Sequence, residues 1–293
     1  GARPEQLLVG AGSDEVIGIL MAAFDRPRDG DRAAVLYPTP TFVMYPVTSR
    51  VHGLSPIEVP LDESFGLDVP AIRAALARHA TNLVFLASPN NPTGNRFADD
   101  AIEQIVRAAP ETLVIIDEAY VPFAGRSLGD WTERYPNVAV MGTLSKVGLA
   151  GLRVGWIRMH EELVLEADKA RPPYNLGVLA QRLATLFLTE LAGVLDAQVR
   201  AIVEARDELG AALGGIDGVR VAPSEANFFL IEVEDAAAIQ AALHERGILV
   251  RRFANVPRLT RCLRVTVGTP EENERLVAAL RAGIGSLSPS GAG

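Results

Sequence analysis

The chain has 293 residues, 48% of them hydrophobic and 22% charged, and its 36 acidic side chains outweigh 28 basic ones to leave a formal net charge of −8. That balance excludes a basic nucleic-acid footprint, and no apolar run reaches the length needed to span a membrane. A single cysteine, Cys262, excludes a disulfide framework within one chain and fits a reducing, cytoplasmic setting, while the scattered His52, His79, His160 and His244 are poor material for a metal centre or a histidine-based triad.

The first motif is Leu7-Leu-Val-Gly10-Ala-Gly12-Ser13-Asp14-Glu15, leading into an apolar helix predicted over 16–24. Gly10 and Gly12 permit a tight turn, and Ser13 or Asp14 can cap the helix. Free amides at that N-terminus make Gly12, Ser13 and Asp14 candidates for holding a phosphate. The same glycines form a partial dinucleotide-binding signature, but Glu15 stands where the third glycine belongs and no supporting pattern follows. A strand over 31–37 runs into Pro38-Thr-Pro-Thr41, and beyond it Phe42 offers a flat ring for stacking on a cofactor or for filling the core. Strands over 54–60 and 82–87 alternate with helices over 69–79 and 98–108, a pattern that predicts a mostly parallel sheet covered on both faces.

Three further stretches carry chemistry. The strand over 82–87 stops at Ser88-Pro-Asn-Asn91-Pro-Thr-Gly94, a turn that presents Asn91 at the sheet's edge. Thr112-Leu-Val-Ile-Ile-Asp117-Glu-Ala-Tyr120 reads as a strand buried on both faces, with Asp117 at the carboxyl end where ligands of open α/β sheets collect. A carboxylate there needs a partner. No His or Cys cluster accompanies it, and a protonated ring nitrogen would satisfy it. The run Val138-Ala-Val-Met141 delivers Thr143, Ser145 and Lys146 into a loop containing Gly148 and Gly151, before a strand resumes over 152–158. A lysine amine in that setting suits covalent bonding to a carbonyl once desolvation and neighbouring cations lower its pKa. Ser145, Thr143 and Arg153 supply donors for a phosphate.

A helix over 161–169 is broken by Arg171-Pro-Pro-Tyr174-Asn175-Leu176, and a long helical region from 177 or 178 to about 213 reads as a spine between a large domain, 1–200, and a smaller one, 201–293. The smaller domain is predicted to hold strands over 219–222, 227–233, 248–251 and 262–267, an Ala-rich helix to 246 and a closing helix over 270–284, with a loose tail over 286–293. Arg264 lies in an otherwise apolar strand and so requires an anion, either a structural ion pair or a substrate.

The Ser88–Gly94 turn, Ile116-Asp-Glu-Ala-Tyr120, Thr143-Leu-Ser-Lys146 and Gly151-Leu-Arg153 together resemble the fold-type I, pyridoxal-phosphate-dependent aminotransferases, and within them the histidinol-phosphate aminotransferases. The likeness runs from about residue 4 to 280. It implies an α/β fold with a large, mostly parallel sheet and a smaller C-terminal α/β domain, and a homodimer acting on histidinol phosphate and 2-oxoglutarate or glutamate. By the same resemblance Lys146 would carry pyridoxal 5′-phosphate covalently and move the substrate's proton. Asp117 would face the pyridine nitrogen, Asn91 and Tyr120 the ring oxygen, and Phe42 the ring face. Gly12, Ser13, Asp14, Thr143, Ser145 and Arg153 would surround the phosphate.

On the substrate side the resemblance places Arg264 as the anion clamp and Arg251 as a second phosphate contact, with Arg252 leaving the register between the two arginines open. Tyr174 and Asn175 resemble a stretch that lines the site, and Asn227 reads either as a substrate contact or as a turn residue. The family has several tens of residues before the point where this chain begins, including a tyrosine that reaches a partner's cofactor phosphate. Alternatives on the same scaffold are an aromatic amino-acid (phenylalanine) aminotransferase, a threonine-phosphate decarboxylase, or a shortened chain that binds cofactor without turnover.

Overall fold

The structure, a computed structural model, describes residues 2–287. The elements are, in order, β1 (Leu7–Gly10), α1 (Ser13–Ala23), β2 (Ala34–Thr39), α2 (Met44–Val51), β3 (Ser55–Pro60), α3 (Val69–Arg78), β4 (Thr81–Ala87), α4 (Asp99–Ala108), β5 (Leu113–Asp117), α5 (Trp131–Arg134), β6 (Val138–Thr143) and β7 (Gly155–Arg158). There follow α6 (Glu161–Asp168), α7 (Val178–Leu188), α8 (Ala192–Gly214), β8 (Arg220–Val221), β9 (Phe228–Glu232), α9 (Ala236–Glu245), β10 (Arg251–Arg252), β11 (Cys262–Thr266) and α10 (Pro270–Leu287). β1 to β7 form one sheet of order β1-β7-β6-β5-β4-β2-β3, and β8 to β11 a second of order β10-β11-β9-β8. Every pairing among β2 to β6 is parallel, whereas β7 runs antiparallel to both β6 and β1. The second sheet is antiparallel throughout.

Strand alternation divides the large sheet's core in two. Tyr37, Phe85, Ile115 and Met141 point to one face, where they meet α1, α6 and Tyr45 of α2. Leu36, Leu86, Ile116 and Val140 point to the other and meet α3, α4 and Trp131. All five residues of β5 are buried, as a central strand covered on both faces requires. The parity that sends Ile115 toward α1 and α2 sends Asp117 the same way, so the last residue of β5 is a carboxylate aimed beneath those two helices. α4 shows how such covering helices arise: Ile102, Ile105 and Val106 are buried on one stripe, and Asp99 and Asp100 favour its N-terminal turn. Asp68 and Asp235 cap α3 and α9 by accepting backbone amides. The second sheet packs against α8, α9 and α10 through Leu209, Leu213, Ile239 and Leu280.

Among the boundaries that differ from the sequence expectation, three have a local cause in the structure. The long spine is two helices, α7 and α8, bent by 74°. At the break Thr189 takes φ −116° and ψ −77°, and the Leu191 amide reaches back five residues to Leu186 rather than four, so the regular ladder stops. By length and composition that bent pair together could cross a membrane, whereas no single helix among the described residues is long and apolar enough. β7 begins at Gly155 rather than 152, because Ala150–Leu152 forms a tight turn and Arg153 adopts a left-handed φ of 51°. The strand expected over 248–251 pairs only at Arg251–Arg252, since the Val250 carbonyl accepts from the Gln240 side chain instead of a neighbouring strand. The closing helix continues to Leu287, so Ser286 is helical; the remainder of the expected tail, 288–293, lies outside the described residues.

Candidate active site

The carboxyl ends of β4, β5 and β6 open onto a cavity lined by Ser13, Asp14, Phe42, Ala87, Pro89, Asn91, Asp117, Ala119, Tyr120, Ser145, Lys146 and Arg153. The parallel strands supply most of this directly: each ends in register with its neighbour, Ala87 beside Asp117 and Asp117 beside Met141, and the loops that follow carry Asn91, Tyr120 and Lys146. One wall is the N-terminus of α1. Gly12 enters that helix at a φ of 87°, and a Cβ there would lie 2.4 Å from Arg153 Nη2. The missing side chain lets the Arg153 guanidinium lie against the turn, where it pairs with Asp14 at 3.3 Å and meets Ser145 Oγ at 3.5 Å.

Burial shapes the charges. Asp117 is 4% exposed; its Oδ2 accepts from the Tyr45 hydroxyl at 2.7 Å and its Oδ1 from the Ala119 amide at 3.0 Å. Desolvation raises its pKa, while those two bonds and the Lys146 charge pull it back down. Lys146 is displaced the other way: burial lowers its pKa first, with Arg264 and Arg153 adding to that and Asp117 and Asp14 opposing it. Its Nζ stands 5.3 Å from the centre of the Tyr120 ring. Tyr120 itself packs edge-on against Phe228 at 5.1 Å, and burial raises its phenol's pKa. Arg264 approaches from β11 of the second sheet, its guanidinium 5.1 Å from the Phe228 ring centre, with one N–H donating to Asn91 Oδ1 at 2.6 Å.

Most of the side chains singled out in the sequence therefore meet in one place. Thr143 does not line the cavity: its hydroxyl donates to the Val154 carbonyl at 3.0 Å and accepts the Ser145 amide at 3.1 Å, so it shapes the loop that presents Ser145 and Lys146. Arg251 sits opposite Arg264 in the β10–β11 register but is exposed. Strand alternation turns Arg252 the other way, onto Gln240 at 3.0 Å. Tyr174 and Asn175 lie in a separate groove beside β1, with Tyr174 97% exposed and Asn175 bonded to Glu15 at 2.6 Å and to the Val9 carbonyl. The Asn227 carbonyl accepts the Val267 amide, a backbone role. Sequence reasoning passed over Tyr45 and Phe228. No local pattern marks either one, because the contacts that matter, to Asp117 and Arg264, cross between distant elements.

The aminotransferase class I and II family matches residues 2–280. Histidinol-phosphate aminotransferase 1 of Burkholderia mallei is 46% identical over 276 residues, covering 94% of this chain and 76% of that protein. The histidinol-phosphate aminotransferase of Methylibium petroleiphilum is 45% identical, covering 94% of this chain and 74% of its own length. Among solved structures, histidinol-phosphate aminotransferase from Sinorhizobium meliloti in complex with pyridoxal-5′-phosphate superposes with a TM-score of 0.88 at 26% identity, covering 98% of this chain and 79% of that one.

Proposed function

The chain belongs to the class I and II aminotransferases, and from that membership we propose that it exchanges an amino group between L-histidinol phosphate and 2-oxoglutarate, the latter leaving as glutamate, in histidine biosynthesis. The observation that carries this reading is the convergence of Lys146, Asp117 and Arg264 on one site. The chain around them is 46% identical, over 94% of its length, to a histidinol-phosphate aminotransferase.

The residues present fit pyridoxal 5′-phosphate. Asp117 is a buried carboxylate on which, among the described residues, no cationic side chain closes a salt bridge; a protonated ring nitrogen would supply the missing charge. Ser13 and Ser145, with Arg153 and the amides at the start of α1, form a donor set suited to a phosphate. When bound, the cofactor supplies an electron sink for bond cleavage at the substrate carbon. Lys146 would hold it through its amine and, once displaced by the substrate's amine and with burial lowering its pKa, would take a proton from the substrate and return it. Asp117 would keep the ring nitrogen protonated, Asn91 and Tyr120 would hold the ring oxygen, and Phe42 would cover the ring. Arg264 clamps the phosphate of one substrate and a carboxylate of the other, and Arg251 beside it adds positive charge suited to a phosphate.

We further read the chain as a cytoplasmic homodimer of two-domain subunits dividing near residue 200. The exposed Val178, Leu179 and Leu188 along α7 support an apolar face for the partner. Sedimentation of the purified chain tests the dimer. Turnover with 2-oxoglutarate on L-histidinol phosphate against L-phenylalanine tests the activity. A preference for phenylalanine, or carbon dioxide released from threonine phosphate, would overturn the substrate assignment.

A further inference from the structure

Tyr45 is fully buried in α2, and its hydroxyl has one hydrogen-bond partner among the described residues, Asp117 Oδ2 at 2.7 Å. The ring is fixed on several sides. It stacks on Phe85 with centroids 4.8 Å apart and planes 22° from parallel, and it takes Phe42 edge-on at 5.6 Å. Ser49 bonds to its backbone carbonyl. A phenylalanine would fill this space equally well, and burying a phenol without need is costly. The hydroxyl's only evident use is the carboxylate.

We propose that Tyr45 is a positioning residue for the aminotransfer reaction: its phenol fixes one oxygen of Asp117 and so orients that carboxylate toward the cofactor's ring nitrogen. The inference rests on the assignment of Asp117 to that nitrogen. With Oδ1 taken by the Ala119 amide and Oδ2 by Tyr45, the carboxylate cannot rotate, and its remaining lone pairs are aimed by the protein alone. The groups acting on the pair are Lys146, which favours the anion, and Asp14, which opposes it, with Tyr120 also facing Tyr45. Burial disfavours the Asp117 charge, and the Tyr45 bond is one of the few contacts that restore it. The same ring braces Phe42, so one side chain supports both the edge and the face of the cofactor site.

The test is the dissociation constant for pyridoxal phosphate and for its 1-deaza analogue, in which carbon replaces the ring nitrogen. It is measured on the wild-type chain, Tyr45→Phe, Asp117→Asn and the double variant. Loss of folded protein weakens both ligands alike and cancels in their ratio. Tyr45→Phe is expected to shrink the preference for pyridoxal phosphate about tenfold, the scale of losing one hydrogen bond to a charged group, and to add nothing in the Asp117→Asn background. A Tyr45→Phe ratio within about twofold of wild type, while Asp117→Asn abolishes the preference, overturns the role of Tyr45 alone. An unchanged ratio in Asp117→Asn overturns the assignment of Asp117 itself. A Tyr45→Phe effect that persists in the Asp117→Asn background shows that the phenol acts elsewhere and likewise overturns the proposal.

Discussion

Arg264 Nη1 donates to Asn91 Oδ1 at 2.6 Å, joining β11 of the second sheet to the turn after β4 of the first across 173 positions. The bond holds the guanidinium at the cavity's edge before any substrate arrives, and among the described residues no carboxylate neutralises it. Burial already lowers its pKa, so an incoming anion replaces solvation that the fold has removed. Arg264→Lys keeps the charge but loses the planar fork. KM for both substrates should rise about 10- to 100-fold, the scale of a charged hydrogen bond, with cofactor affinity unchanged. Steady-state kinetics beside a cofactor titration separates the two effects, and equal weakening of both would refute a substrate-side role.

Lys146→Ala removes the one amine in the cavity lining. Activity should fall by at least about 10³-fold, since both the covalent anchor and the proton carrier are lost. Borohydride treatment of the wild-type chain with pyridoxal phosphate should fasten the cofactor to the peptide containing Lys146, read by mass spectrometry. Label on a peptide from elsewhere would refute the assignment.

Two glycines of the same site should respond in opposite ways. At Gly12 a Cβ would press on Arg153 Nη2 at 2.4 Å, and φ is 87°. The guanidinium is the flexible end of its side chain and can swing aside, but φ 87° with ψ 165° is a region essentially reserved for glycine, so Gly12→Ala should cost about 1–3 kcal/mol of stability. The displaced Arg153 should weaken the cofactor about tenfold. Gly151, in the loop after Lys146, has nothing within 4 Å of the position a Cβ would take and no positive φ, so Gly151→Ala should bind cofactor as wild type does. Equilibrium dialysis of the two variants checks the contrast.

The readable part of the molecule was the part in which neighbours in sequence are neighbours in space. The β5 run ending at Asp117, and Lys146 following β6, declare themselves because a buried strand reads as a continuous apolar stretch and its terminus marks the sheet's ligand edge. What escaped was set by packing between distant segments. Tyr45 looks like any core aromatic until strand parity turns Asp117 toward it, 72 residues away. The choice between Arg251 and Arg252 depended on strand register, which β11 imposes. The bend after Leu188 had no proline to announce it: Thr189 leaves the helical backbone values, and its hydroxyl bond to the Thr185 carbonyl is of the kind that Thr185 itself makes to Gln181 inside the helix.

Asp117 should cost the cofactor-free chain stability, and the cost has a definite pH window. Its folded-state pKa is raised above the ordinary 3.8, chiefly by burial. Between those two values the unfolded chain has released the proton while the native chain retains it, so stability falls as pH rises. Above the folded value the full penalty is present; below 3.8 both states are protonated and it vanishes. Asp117→Asn removes the charge and should raise the melting temperature of the cofactor-free chain at neutral pH by roughly 2 °C, the shift expected for about 1 kcal/mol. The gain should shrink as pH drops through the raised value. With pyridoxal phosphate added the order should reverse, because only the carboxylate pairs with the ring nitrogen and binding stabilises the native state. Thermal melts across pH, with and without cofactor, test both halves: a cofactor-free Asp117→Asn chain less stable than wild type at neutral pH would mean that Lys146 and the two hydrogen bonds already outweigh the burial of this carboxylate.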